Sequence, residues 1–205
     1  MQFPKSNQEI PISLEFISSD IGSANVDIPL VEDGDLAILF TAAHGLSIAK
    51  VWPADFTEVK EDSDTDDSRM VSGYKLLSAS DSNANLVGMN DTTDKMAIMI
   101  FRPSKPISSI EVFSVNGEAT ISDPSAQTID MSLAPAYQSI LAVTFMSGTS
   151  TLAPSTSPVM TELSVDSTGS AFYTIFNIPT TPVNITVDMP DEGDNVMQSW
   201  ALAIT

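Results

Sequence analysis

Three short, nearly unbroken apolar runs constrain this chain most: "DLAILFTAA" (Asp35 to Ala43), "KMAIMIF" (Lys95 to Phe101) and "SILAVTF" (Ser139 to Phe145). Such runs are expected of central strands buried on both faces. "VNITVDM" (Val183 to Met189) alternates instead, with Val183, Ile185 and Val187 on one face and Asn184, Thr186 and Asp188 on the other. That is the pattern of a half-buried strand. In "IEVFSVNGEATIS" (Ile110 to Ser122), Asn116-Gly117 stands between two strand-like segments, a strong hairpin signal. Thirteen prolines and nine glycines leave few windows long enough for a helix. The best helical candidate, "TAAHGLSIAKV" (Thr41 to Val51), is interrupted by Gly45 and lacks a cap, so it reads as a strand end plus loop. The expected fold class is all-β.

The runs also repeat. "VDIPLVEDGDLAIL" (Val26 to Leu39) resembles "IDMSLAPAYQSILAV" (Ile129 to Val143), and "PADFTEVKED" (Pro53 to Asp62) resembles "SPVMTELSVD" (Ser157 to Asp166). "SRMVSGYKLL" (Ser68 to Leu77) lies opposite "SAFYTIFNI" (Ser170 to Ile178), and "MAIMI" (Met96 to Ile100) opposite "WALAI" (Trp200 to Ile204). Most of these pairs are 103 to 104 residues apart in the numbering. The pattern predicts a tandem duplication, with a first repeat over 1–105, including an N-terminal arm, and a second over 106–205. Each repeat is the size of a small jelly-roll or immunoglobulin-like β-sandwich. Two sandwiches side by side and a single sandwich with pseudo-two-fold symmetry both satisfy the pattern.

Charge excludes some functions. Eight Lys and Arg against 27 Asp and Glu give a net charge of −19, which argues against nucleic acid and against anionic membranes as partners. No apolar run is long enough to span a bilayer. There is no cysteine, hence no disulfide framework and no thiolate ligand or nucleophile. The start "MQFPKSNQEIPISLEF" lacks an apolar segment behind a basic one, which points away from Sec export.

The most chemically loaded stretch is "EDSDTDD" (Glu61 to Asp67). An EF-hand starting at Asp62 would need Gly where Asp67 stands and Glu where Gly73 stands, so that motif fails. A looser calcium site at Asp62, Asp64 and Asp66 stays open beside the plainer reading, a solvated hairpin loop whose charges discourage edge-to-edge association. The equivalent loop "VDSTGS" (Val165 to Ser170) keeps only Asp166, so the repeat itself does not require an acidic tip. "DMPDEGDN" (Asp188 to Asn195) reads as a second solvated acidic loop. His44 is the sole histidine, so zinc would need carboxylates for its other ligands, and no G-x-S-x-G elbow supplies a triad serine. With 27 acidic residues, nothing singles out a glycosidase pair. Trp52 and Trp200 are candidate sugar platforms, with core packing as the other reading of each, since Trp200 lies within a strand and Trp52 just before one.

In order along the chain, "DGDLAIL" (Asp33 to Leu39), "WPADFTEV" (Trp52 to Val59), "SGYKLLSAS" (Ser72 to Ser80), "MAIMIFR" (Met96 to Arg102) and "SWALAIT" (Ser199 to Thr205) form a series. The series resembles a group of tailed-bacteriophage virion proteins built from duplicated β-sandwich repeats. The resemblance implies a non-enzymatic structural protein, either a capsid decoration or cement component or a tail or fibre-base component. It implies a homo-oligomer or multi-copy lattice, other virion proteins as partners, assembly in the host cytoplasm and no catalytic residues or cofactor. The alternative expectation is a carbohydrate-binding or adhesion module that uses Trp52 and calcium at Asp62, Asp64 and Asp66.

Overall fold

The structure, a computed structural model, describes residues 10–23, 25–45, 50–64, 68–89, 95–120, 125–148, 154–166, 168–188 and 195–205. Fifteen strands lie among them. The first seven are β1 (Leu14–Gly22), β2 (Asn25–Asp27), β3 (Leu36–His44), β4 (Thr57–Ser63), β5 (Ser68–Leu76), β6 (Asn85–Val87) and β7 (Lys95–Pro103). After residues 104–109 come β8 (Ile110–Thr120), β9 (Gln127–Ile129), β10 (Ser139–Gly148) and β11 (Ser155–Ser157). They are followed by β12 (Thr161–Asp166), β13 (Gly169–Asn177), β14 (Ile185–Asp188) and β15 (Asn195–Ile204). Among the described residues, helical structure is limited to two single 3-10 turns, Ala79–Asp81 and Met131–Leu133.

Strands β1, β7, β3, β5 and β4 hydrogen-bond in that order into one antiparallel sheet, and β8, β15, β10, β13 and β12 repeat the order in a second. β2 and β6 make a small sheet in the first half, and β9, β14 and β11 make one in the second. The two large sheets face each other across a central core. Leu36, Ile38, Phe40, Met99 and Phe101 come from one, and Leu141, Val143, Phe145, Trp200 and Leu202 from the other. Each large sheet turns its other face to its own small sheet. Ala37, Leu39, Ile98 and Ile100 meet Val26 and Ile28 on one side. Ile140, Ala142 and Met197 meet Ile129, Ile185 and Val187 on the other. The molecule is an all-β sandwich of four layers with three cores.

This layering explains the unbroken apolar runs. In β3 the even positions enter the central core and the odd ones the outer core, and every residue is buried. A strand with two apolar faces has no polar residue to mark its period. β14, which covers only one face, keeps its alternation: Ile185 and Val187 are fully buried and Thr186 is exposed. The architecture also combines the two arrangements left open by the repeats. Each half is a sandwich of a large and a small sheet, and the two large sheets form a further sandwich between the halves.

Pairing sets the equivalences between the halves. Leu36 lies opposite Leu76 and Phe101, and Ser139 lies opposite Asn177 and Ile204. Leu36 thus corresponds to Ser139, Phe101 to Ile204 and Leu76 to Asn177. By the same registers Ala97, not Met96, corresponds to Trp200. The sequence alignment of "MAIMI" with "WALAI" is therefore one residue out of register: Met96 faces an outer core and Trp200 the central one. "SRMVSGYKLL" against "SAFYTIFNI" slips likewise, because Ser68 pairs with His44 where Gly169 pairs with Ser147. A one-residue slip exchanges the two faces of a strand, and where both faces are apolar it leaves no polar residue out of place.

The hairpin expected at Asn116-Gly117 does not form. β8 runs through both residues as a single edge strand beside β15, with an irregularity opposite Ser199 to Ala201 and Ser114 at φ 50°. Asn116 uses its Nδ2 to donate to the carbonyls of Ser114 (3.2 Å) and Thr128 (2.9 Å), which ties β8 to β9. The glycine is needed for packing against Asp62 and not for a turn.

Candidate functional site

The acidic run begins inside a strand. Asp62, in β4, places Oδ1 3.0 Å from the Lys60 ammonium, and its Oδ2 accepts from Gln198 Nε2 at 2.8 Å. Gln198 belongs to β15, so this carboxylate joins the two halves. It also lies against Gly117: a Cβ there would sit 1.8 Å from Asp62 Oδ2. Glycine is what lets β8 approach β4. The Asp62 side chain is only 12 % exposed. Asp64 directly follows the strand and donates its N–H to the Ser68 carbonyl at the start of β5, 3.0 Å. Asp66 lies outside the described residues. Among the described residues no group of three or more His, Asp or Glu is placed to hold a metal. Asp62 fits calcium poorly, since an ammonium already occupies one oxygen and an amide donor the other.

The two tryptophans and the histidine are placed as packing residues. Trp200 is fully buried in the central core beside Phe40, and its Nε1 donates to Ser72 Oγ at 3.0 Å. Trp52 is half-buried against the first outer core, with its Nε1 donating to the Phe56 carbonyl at 3.2 Å. Its ring lies over Gly73, where a Cβ would come within 2.8 Å of the indole. His44 Nε2 and Ser147 Oγ are 2.9 Å apart at equivalent ends of β3 and β10. That spacing suits a base and a nucleophile, but both residues are buried and Ser147 has no exposed surface.

What the structure does assemble is a pair of seams where the halves meet, related by the pseudo-two-fold. At the first seam, β1 lies against the second half. Phe16 stacks on Tyr173 at 4.8 Å, and Phe101 meets the same ring edge-on at 5.3 Å. Asn177 then accepts from Leu14 N–H at 3.0 Å, donates to the Leu14 carbonyl at 3.3 Å, and accepts from Ser139 Oγ at 2.5 Å. Ile12 N–H is held by Gln138 Oε1 at 2.6 Å.

At the second seam, β8 lies against β4 and β5. One end is closed by the Asp62–Gln198 bond over Gly117. The other end is open: a hollow of about 400 Å³ is lined by Asp55, Thr57, Tyr74, Leu76, Ile107 and Ser108, among others. Leu76 here occupies the place of Asn177 and offers no hydrogen bond. Lys75 forms one wall, its ammonium bonded to Asp55 and, at 2.7 Å, to Asp81. Burial alone would lower its pKa, but these two carboxylates hold it above the ordinary lysine value.

A second hollow of about 320 Å³ adjoins the first across Leu76 and Ile107 and contains Arg102. The guanidinium grips Asp35 through Nε and Nη2, both at 2.8 Å, and reaches Glu32 through Nη1 at 2.8 Å. Asp35 is nearly fully buried. Burial raises its pKa, but the bonds from Arg102 and from Glu32 N–H outweigh burial and hold it below the usual carboxylate value. This fork is structural: it anchors the loop before β3 to the end of β7.

Sequence reasoning overlooked Asn177, Leu76 and Lys75. Their signal lies in the strand registers, which an alignment one residue out cannot supply. No family model, curated protein or solved structure matches this chain.

Proposed function

We propose that this chain is a non-enzymatic structural protein of a bacteriophage virion, a surface decoration or cement component or a tail or fibre-base component. It acts through protein–protein assembly, as a homo-oligomer or in many copies on a lattice, with other virion proteins as partners. The observation that carries this reading is the use that the fold makes of its buried and half-buried polar side chains. Asp62, Gln198 and Asn177 bond one half of the molecule to the other, and Asp35, Arg102 and Trp200 hold strands and loops in place. Two repeats joined through one continuous core make a compact, preformed block, which is what a repeated building unit of a particle requires. The order of strand motifs described above supports the same reading.

The test is to purify particles on a gradient from lysates of a host carrying the gene in its native phage context. Mass spectrometry is expected to find the chain in the particle fraction at many copies. The purified protein is expected to form symmetric oligomers on sedimentation. Absence from particles together with a strictly monomeric state would overturn the reading.

A second reading, a carbohydrate-binding or adhesion module, is favoured by the open hollow at the second seam. Its partial burial makes Trp52 an unsuitable platform for that role.

A further inference from the structure

The hollow beside Leu76 has a counterpart in the same molecule that shows what its absence looks like. Phe16 pairs with Phe101 as Ile110 pairs with Ile204, so Leu14 and Ser108, each two residues earlier in the chain, hold equivalent places, Leu14 at the start of β1 and Ser108 just before β8. At the first seam Asn177 fills the gap by bonding to both backbone groups of Leu14. At the second, Leu76 stands in that place, is 43 % exposed, and leaves Ser108 lining open space, its N–H already donated to the Thr205 carbonyl at 2.7 Å. The fold therefore tolerates a filled seam, and one repeat keeps it open.

The lining defines the chemistry. Tyr74, Leu76 and Ile107 supply apolar and aromatic surface, while Thr57 and Ser108 supply hydroxyls and Asp55, whose side chain is 62 % exposed, an acceptor carboxylate. The Lys75 ammonium is already bonded to Asp55 and Asp81, so the hollow offers no unbalanced positive charge to an anion. The net charge of −19 repels anions further, and among the described residues no group of three His, Asp or Glu converges to hold a metal cation. What remains is a neutral ligand with an apolar face and several hydroxyls. We infer that the hollow is a binding site for a neutral saccharide, one or two sugar units in size. The sugar's C–H face lies on the apolar wall, and its hydroxyls donate to Asp55 and exchange bonds with Thr57 and Ser108.

Amide NMR spectra of the full chain, titrated with glucose, galactose, N-acetylglucosamine and the β-linked disaccharide of N-acetylglucosamine, test this directly. At least one sugar is expected to produce saturable shifts at Thr57, Lys75, Leu76, Ser108 and Ser109. Asp55→Asn, which changes an exposed side chain, is expected to weaken that sugar by roughly 10-fold. Leu76→Asn, copying the filled seam, is expected to abolish the shifts while the melting midpoint stays near that of the parent. No saturable shift with any of the four sugars, saturable shifts only elsewhere, or unchanged binding in Leu76→Asn would each overturn the inference. Such a failure leaves the assembly reading standing, because none of these readouts depends on oligomer formation.

Discussion

The two seams of this molecule share strand order and equivalent backbone positions, yet they are closed by different means. The first is closed around Leu14 and Phe16 by stacked aromatic rings and by an asparagine that serves as donor and acceptor to one backbone residue. The second is held at one end by a carboxylate lying over a glycine and is hollow at the other. The duplicated fold therefore does not dictate how its halves are joined. The central core brings the sheets together, and the seams are free to differ.

That division of labour is broken most severely from the core. Trp200 is its largest buried side chain, and its counterpart in the first half is only Ala97. Trp200→Ala is expected to cost about 3–5 kcal/mol, with Ser72 losing its partner as well. Because the halves share this core, urea unfolding followed by fluorescence and by circular dichroism is expected to remain a single coincident transition at lower midpoint. Separate transitions would show that the halves are held independently.

The seams come next. Asn177→Leu, which makes the first seam resemble the second, leaves the Leu14 N–H and carbonyl without their amide and is expected to cost about 2–3 kcal/mol. The diagnostic readout is hydrogen exchange, which is expected to accelerate at Leu14 more than at β3. At the second seam, Gly117→Ala drives a Cβ into Asp62 and is expected to cost about 1–3 kcal/mol. Adding Asp62→Ser is expected to return part of that loss, and strict additivity of the two changes would refute the contact.

A smaller effect follows from the Arg102–Asp35 pair flanking the hollow. The folded state holds the Asp35 proton less tightly than the unfolded chain does, since its carboxyl is held below the ordinary value. Its stabilisation is therefore present above the unfolded value of about 3.9 and is lost as pH falls towards the folded one. Melting midpoints are expected to fall more steeply below about pH 4 in the parent than in Asp35→Asn. Parallel curves would exclude the pair as a source of acid sensitivity.

The strands were legible in the sequence wherever burial left a period or an unbroken apolar run, as in β3, β10, β14 and β15. Register was not, because Met96 and Trp200 are both apolar and only pairing with Phe40 and Val143 shows that Trp200 matches Ala97. The Asn116-Gly117 pair misled for a related reason. Its turn chemistry is local, whereas the need for glycine comes from Asp62, far away in sequence. The acidic run looked like a loop tip because charge suggests solvent, yet Asp62 is paired between the halves. The hollow was invisible for the same reason, since it exists only as the difference between Leu76 and Asn177.

That difference is also where the smallest stability effect is expected and the comparison is sharpest. Leu76 stands at the exposed end of β5, so Leu76→Asn removes little buried apolar surface and adds an amide able to donate to the Ser108 carbonyl, the Ser108 N–H being already bonded to Thr205. The two terms oppose each other, and the net change is expected to stay within about 0.5 kcal/mol. If the asparagine closes the seam as Asn177 does, hydrogen exchange at Ser109 and Ile110 slows even though the midpoint barely moves. Unchanged exchange would mean that seam closure needs more than the one side chain, with Ser139 and Gln138 as the partners missing from the second seam.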